Sequence, residues 1–420
     1  MKNGTCIKAI AVCLALAVST SFALSAQAKA KLTLGSWRAD DVAQITQLLA
    51  AFNKKYPNIE IKFDPTNPPD YNAALHLQLQ SGIGPDLMYA RSYDTGIQLF
   101  KEGYFLDVTD LAGFKKVYSD LARAPWADPS GRSFAVPFCA VSHGVYYNQD
   151  IFKKLGIQVP TTWEDFLAVC KKIQTAGITP LANGLADQWD INEVVLMNIA
   201  PNFVGGPEGR LAYESGKTPF NDAKMVSLFQ AMKDIAPFCP KGFEALTYND
   251  ENALFVNQKA AMYFDGSWTM ASFKDMKFNW SVFAPPAPKG MKGYVTFHPD
   301  TGIAINPKSA NLDACKTFLE WLYSDEAASI VSNTIPTGFF PIASNAAPIK
   351  DIHANAFLQL SKSHPTDVRF AWPKLMSGTP SGYNLLQDGA IAVMTGKMTP
   401  KEAADALQAG LAKWYTPAQK

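Results

Sequence analysis

No charge of one sign dominates this chain: 38 lysines and arginines stand against 37 aspartates and glutamates. So even a balance creates no basic field for nucleic acid or anionic lipid, and neither is expected as a partner. Cysteine is scarce as well. The six present are scattered, without the close pairing of a zinc site or a redox motif, so no metal and no other cofactor is expected. Catalytic signatures are missing too. There is no Gly-x-Ser-x-Gly elbow, no His-Glu-x-x-His pair and no phosphate loop, which argues against an enzyme. Beyond residue 28 no apolar run reaches the ~18 residues of a membrane span, and neither internal repeats nor low-complexity segments occur.

What the chain does carry begins at its amino terminus. Lys2 and Lys8 flank the start of the apolar stretch Ala9–Val18, and Ala26-Gln27-Ala28 supplies a small-x-small cleavage site. Together they read as a secretory signal peptide over residues 1–28, cleaved after Ala28. Cys13 follows Val12, where lipid attachment needs a small residue, so a soluble exported protein is expected rather than a lipid-anchored one. Removing that segment leaves 392 residues, 36 basic and 37 acidic, enough for two domains with separate cores. Cys139, Cys170, Cys239 and Cys315 remain; export permits disulfides, and the sequence assigns none. Each alone is expected to be a small buried apolar residue.

Along the mature chain, "KLTLGSW" reads as a strand and "ADDVAQITQLLAAFNKKYP" as a helix, with Val42, Ile45, Leu49 and Phe52 at helical spacing and Pro57 as its stop. "IEIKF" alternates at the strand period. A second unit follows, with a helix over 71–80, the turn "SGIGPD" and the strand "LMYA". In "TTWEDFLAVCKKIQTAG", Thr161 and Glu164 are spaced as a capping box; Thr399, Pro400 and Glu402 mark the start of the last helix. Strands alternating with helices imply α/β lobes around mainly parallel sheets. In such sheets ligands bind beyond the carboxyl ends of strands. That rule points at Trp37-Arg38, at Arg91 to Asp94, at His143 and at Asp265 to Trp268. In "KAAMYFDGSWTM", "AAMYF" is the buried strand, Gly266 permits the turn, Ser267 is placed to cap the next helix and Trp268 can face a crevice.

Three segments then resemble, in order and spacing, one family. "GIGPDLMYA" resembles its Gly-x-Pro-Asp strand. "AVPFCAVSHGVYYNQDIFKKLGIQVPTTWEDF" resembles its Val-Pro, Tyr-Asn and Pro-x-Thr-Trp-Glu segment, and "LFVNQKAAMYFDGSW" its Phe-x-x-Gly-Lys-Ala-Ala-Met with Gly-x-Trp. The family is that of the extracellular solute-binding proteins of ABC importers, in sugar-binding family 1 with the maltose-binding-protein-like proteins. Two departures are present: Asn257-Gln258-Lys259 lacks the glycine, and Gln149 replaces a lysine. The resemblance implies the two-lobed type II periplasmic-binding-protein fold, with mainly parallel sheets flanked by helices and three hinge crossings, near Phe138–Gly144, Val295–Pro299 and Asn333–Phe339. It implies an amino-terminal lobe of residues 29–139 with 300–335 and a carboxy-terminal lobe of 140–299 with 336–420. It further implies a monomer in the periplasm that binds a small carbohydrate and delivers it to ABC permease subunits in the inner membrane, without chemistry.

Sugars need flat aromatics for their C–H faces and planar polar groups for their hydroxyls. By the resemblance, Trp268 is a stacking platform, Trp189 and Asp190 in "DQWDIN" stack and accept hydroxyl bonds, and Trp372 in "RFAWPK" is a late sugar-contacting aromatic. Core packing is the rival role for Trp268 and Trp372, and a solvated loop acid for Asp190. Trp37, Arg38 and Asp40 follow the first strand, with Asp40 equally placed to cap a helix. Arg91 and Asp94 suit vicinal hydroxyls, or a surface salt bridge. His143 lies on the first crossing. Thr301 and Gly302 follow the second, where a glycine permits close approach of a ligand. Asp40, Asp94 and Asp190 are the acids a secreted glycosidase would draw on, and nothing in the sequence pairs them. Arg38 and Arg91 keep an anionic ligand such as glycerol phosphate open, and polyols, amino acids and polyamines stay open beside it.

Overall fold

The computed structural model describes residues 29–419; the signal-peptide reading of residues 1–28 lies outside them. Ten strands run through the described residues: β1 (Ala30–Ser36), β2 (Ile59–Pro65), β3 (Leu87–Arg91), β4 (Val136–Asn148), β5 (Thr179–Leu181), β6 (Ala260–Gly266), β7 (Trp280–Phe283), β8 (Val295–Ile305), β9 (Phe340–Pro341) and β10 (Thr366–Asp367). They connect in the order β2-β1-β3-β8-β4-β6-β5, with β7 and β9 on β4 and β10 on β8. The helix Val42–Lys55 joins β1 to β2 and buries Ile45, Leu49 and Phe52 of the stripe its spacing predicts, with Leu48 added and Val42, at its first turn, exposed. Its last turn carries Lys54 and Lys55, which suit the negative end of the helix dipole.

Parallel pairing is found at the two ends of this order, β2-β1-β3 and β5-β6. The centre is antiparallel. β8 pairs with β3 from Leu87↔Ile305 to Arg91↔Thr301 and with β4 from Val136↔Ile303 to Ser142↔Phe297. From His143 onward β4 changes partner and pairs with β6 and β7. The physical reason is the connectivity: two long strands run in opposite directions between two separate cores.

One core joins β1, β3 and their helices to Ile303–Ile305 and the helix Leu312–Leu322, around Phe52, Leu87, Trp126, Phe134 and Phe318. The other gathers Val145, Phe166, Met197, Phe229, Phe264, Phe370 and Leu407. A smaller cluster around Tyr146, Phe255, Tyr263 and Phe357 extends it. Val194 and Trp268, on segments that otherwise build the second core, pack into the first.

Local details depart from expectation at two starts. Thr162 caps the helix Trp163–Thr175 by accepting from the Asp165 N–H at 3.1 Å, so the cap falls one residue later than the Thr161-Glu164 spacing suggests. Ser267 does not cap the 3-10 segment that comes after β6. Its hydroxyl accepts from the Ser142 N–H and donates to the Gly338 carbonyl, tying β4 to the segment before β9. The capping box at Thr399 and Glu402 is present.

Candidate functional site

β1 hands over to Trp37 and β3 ends on Arg91, so both residues stand at carboxyl ends of adjacent strands. The Arg91 guanidinium carbon lies 3.7 Å from the centre of the Trp37 ring and 5.7 Å from that of Trp372. Arg369 in turn lies 5.3 Å from the Trp372 ring centre and 5.4 Å from that of Trp268. Trp37, Arg91, Trp372, Arg369 and Trp268 thus alternate indole and guanidinium in one series. Each such contact contributes attraction on the order of 0.5–2 kcal/mol, more where water is excluded. Two carboxylates balance the two cations: Asp300 lies 3.8 Å from Arg91, and Glu193 2.5 Å from Arg369 while also accepting from the Tyr383 hydroxyl at 2.8 Å. Burial pulls the Arg91 pKa down, and attraction from Asp300 and Glu193 opposes it.

Both long strands bring a histidine to this series. Arg369 Nε donates to His143 Nε2 at 3.3 Å, so a neutral His143 carries its proton on Nδ1. The His143 ring meets Trp268 edge-on at 5.2 Å and His298 meets Trp372 at 4.6 Å. Burial, reinforced by Arg369, holds both histidine pKa values well below the ordinary 6.5. Four buried nitrogens here have no hydrogen-bond partner among the described residues: His143 Nδ1, both ring nitrogens of His298 and Trp372 Nε1. An unsatisfied buried polar group costs about 1–3 kcal/mol, so four together mark a place suited to a polar guest.

Behind Trp268 lies a second polar network. Its indole N–H donates to the Tyr248 hydroxyl at 3.0 Å, and that hydroxyl donates to Asp265 at 3.1 Å. Trp189 packs on Tyr248 with ring centres 5.1 Å apart. Asp190 is fully buried, and neither of its carboxyl oxygens has a hydrogen-bond partner among the described residues. Glu251 and Asp265, buried near it, disfavour its charge further. Burial accordingly raises Asp190 well above the carboxylate range, Glu251 up to about 8 and Asp265 up to about 7.

Of the sequence candidates, Trp37, Arg91, His143, Trp268 and Trp372 come together directly. Thr301 joins through its hydroxyl, which donates to Asp300 at 2.9 Å. Trp189 and Asp190 stand behind Trp268. Asp94 reaches across the molecule, accepting from the Ser377 hydroxyl at 3.2 Å, and burial raises its pKa. Others have different employment. Arg38 forms a bidentate pair with Asp41 at 2.6 and 2.8 Å; burial opposes its charge, but that pair wins and raises its pKa. Asp40 is exposed and caps nothing. A Cβ on Gly302 would come within 2.5 Å of Trp126 Nε1, whose N–H bonds the Ala90 carbonyl at 3.0 Å, so this glycine makes room for a core indole. Glu193, His298, Asp300 and Arg369 escaped sequence reasoning. Asp300 adjoins Thr301 and Arg369 lies three residues before Trp372, but only the fold shows that these charges meet.

The sequence pattern of the family described as bacterial extracellular solute-binding protein matches residues 35–329. The multiple sugar-binding protein of Streptococcus mutans is 25% identical over 345 residues, covering 79% of this chain and 78% of its own. The sn-glycerol-3-phosphate-binding periplasmic protein of Rhizobium meliloti is 25% identical over 282 residues, 63% of this chain and 64% of its own. Among solved structures, the solute receptor AcbH, described as preferring β-D-galactopyranose, superposes with a TM-score of 0.81 at 19% identity, covering 92% of this chain and 100% of that one. RafE in complex with raffinose gives 0.75 at 21% identity, covering 93% and 100%. Both likenesses are of fold.

Proposed function

We propose, because the chain belongs to the bacterial extracellular solute-binding proteins, that it captures a small carbohydrate in the periplasm and delivers it to the permease subunits of an ABC importer. The observation that carries this reading is the convergence of three indoles, two charge-balanced guanidiniums and four unpartnered nitrogens where β4 and β8 pass between the cores. Indole faces suit sugar C–H groups, and the free imidazole and indole nitrogens suit hydroxyls. Trp37, Arg91, His143, Trp268 and Trp372 are the proposed contacts, with Asp94, Trp189, Asp190 and Thr301 supporting them. The proposed lobes are residues 29–139 with 300–335 and 140–299 with 336–420, closing about the crossings on a ligand that both grip. The mature protein starts after Ala28 and acts as a monomer, without chemistry.

A glycerol phosphate, as in the Rhizobium meliloti relative, would use unpaired arginines. Here each arginine of the series already faces a carboxylate, which favours a neutral ligand. A thermal-shift screen of the mature protein against saccharides, polyols, glycerol phosphates and polyamines tests both readings, because a ligand that binds only the folded state raises Tm. Shifts confined to phosphates would replace the carbohydrate reading; reducing-sugar release from an oligosaccharide would overturn binding without chemistry.

A further inference from the structure

Arg91, at the end of β3, lines a cavity of about 260 Å³ that lies between the helices Pro68–Ser81 and Tyr93–Lys101. Its guanidinium makes no side-chain hydrogen bond among the described residues. Asp300, the carboxylate that faces it, stands 3.8 Å away, beyond hydrogen-bonding distance. Each partner is held back. Asp300 accepts from the Thr301 hydroxyl at 2.9 Å, and the guanidinium lies over the Trp37 ring at 3.7 Å. Asp300 is buried and takes no part in the cavity lining. Glu193, the other acid whose attraction Arg91 feels, is bonded to Arg369 and the Tyr383 hydroxyl. The two acids that do line the cavity answer to other groups: Asp94 to the Ser377 hydroxyl, Lys374 and Lys101, and Glu102 to His76 at 2.8 Å. Coulomb attraction falls slowly with distance, whereas a hydrogen bond is lost beyond about 3.5 Å. Asp300 therefore balances the charge of Arg91 without using its N–H donors.

Resting on the carbohydrate reading, we propose that Asp300 sets the charge of the ligand: as a positioning residue acting through Arg91, it leaves the guanidinium donors to the hydroxyls of a neutral sugar and withholds the uncompensated positive charge that a uronate or a phosphorylated ligand needs. Selectivity is then decided by a side chain behind the cavity wall.

Titration calorimetry on the mature protein at low ionic strength tests this, comparing the saccharides that raise its Tm with glucuronate, galacturonate and glycerol 3-phosphate. The unaltered protein should bind each anion at least about tenfold more weakly than its best saccharide. Asp300→Asn, which keeps the shape and removes the charge, should raise the affinity for at least one anion about tenfold, and added salt should reverse the gain. Arg91→Gln combined with Asp300→Asn should abolish that gain, and Asp313→Asn, which removes an exposed acid from the helix Leu312–Leu322, should produce none. Thr301→Val frees Asp300 to close on Arg91 and take its donors, so it should weaken the saccharide severalfold with no anion gained; it decides the matter where Asp300→Asn does not fold. A folded Asp300→Asn variant without anion gain would overturn the proposal. So would an equal gain in Asp313→Asn, a gain that survives the added Arg91→Gln, or a Thr301→Val variant with unchanged saccharide affinity. Failure of every saccharide on the unaltered protein would instead overturn the carbohydrate reading itself.

Discussion

Trp268 and Arg91 illustrate two ways in which a residue can serve a ligand site. Trp268 is 9% exposed, donates to Tyr248 and packs into the first core, so platform and core are one side chain. Trp268→Ala should therefore lose binding and also cost about 3–5 kcal/mol of stability. Trp268→Phe, which keeps a ring but leaves Tyr248 without its donor, should cost about 1 kcal/mol. Urea unfolding separates these; an alanine variant as stable as the parent would remove Trp268 from the core. Arg91 differs because its pair with Asp300, at 3.8 Å, is loose. Arg91→Ala should weaken sugar binding by about tenfold, roughly 1.4 kcal/mol, and lower the Tm of the empty protein less than Trp268→Ala does, through the loss of its contacts with Trp37 and Trp372. Calorimetry showing an unchanged Kd would take Arg91 out of the site.

Within elements, small choices of side chain decide which strands and helices can meet. Gly302 lets β8 lie against Trp126, so Gly302→Ala should overpack that contact and cost about 1–3 kcal/mol, read as a lower urea midpoint. An unchanged midpoint would return Gly302 to the ligand contacts. The helix Trp163–Thr175 offers a sharper comparison. Thr162→Ala should cost about 1 kcal/mol by losing the bond to the Asp165 N–H, whereas Thr161→Ala, whose hydroxyl makes only a 3.4 Å contact with the Asp165 carboxylate, should cost less. The reverse order would restore the cap to Thr161. Sequence spacing located this helix and missed its cap by one residue, because two adjacent threonines satisfy the pattern equally and only the backbone angle at the turn selects between them.

For the molecule as a whole, the buried acids behind Trp268 couple stability to pH. A carboxyl whose pKa rises on folding holds its proton more tightly in the folded chain than in the unfolded one, so stability falls as pH climbs toward the folded value. The buried histidines act oppositely, but only below about 6.5, where the unfolded chain takes up their protons. Between about 6.5 and 8 the acids dominate: with Asp265 at about 7 and Glu251 at about 8, Tm should fall across that window. Glu251→Gln should flatten the fall; a Tm rising with pH there would show that these carboxyls are not raised. At this scale the division between sequence and structure is plain. Periodicity, caps and motif order by themselves determined the α/β class, the helix and strand positions and the family, because these depend on neighbours within a few turns of chain. Four members of the central series were also legible: Trp37, Arg91 and Trp268 because they end or follow a strand, and Trp372 through the family resemblance, whereas His143, read as following a strand, lies inside β4. Tertiary structure alone decided that Arg91 faces Asp300 and that Arg369 stands between Trp268 and Trp372. A side chain's charge partner across more than two hundred residues is fixed by how two long antiparallel strands bring distant segments together, and no local pattern in the chain records it.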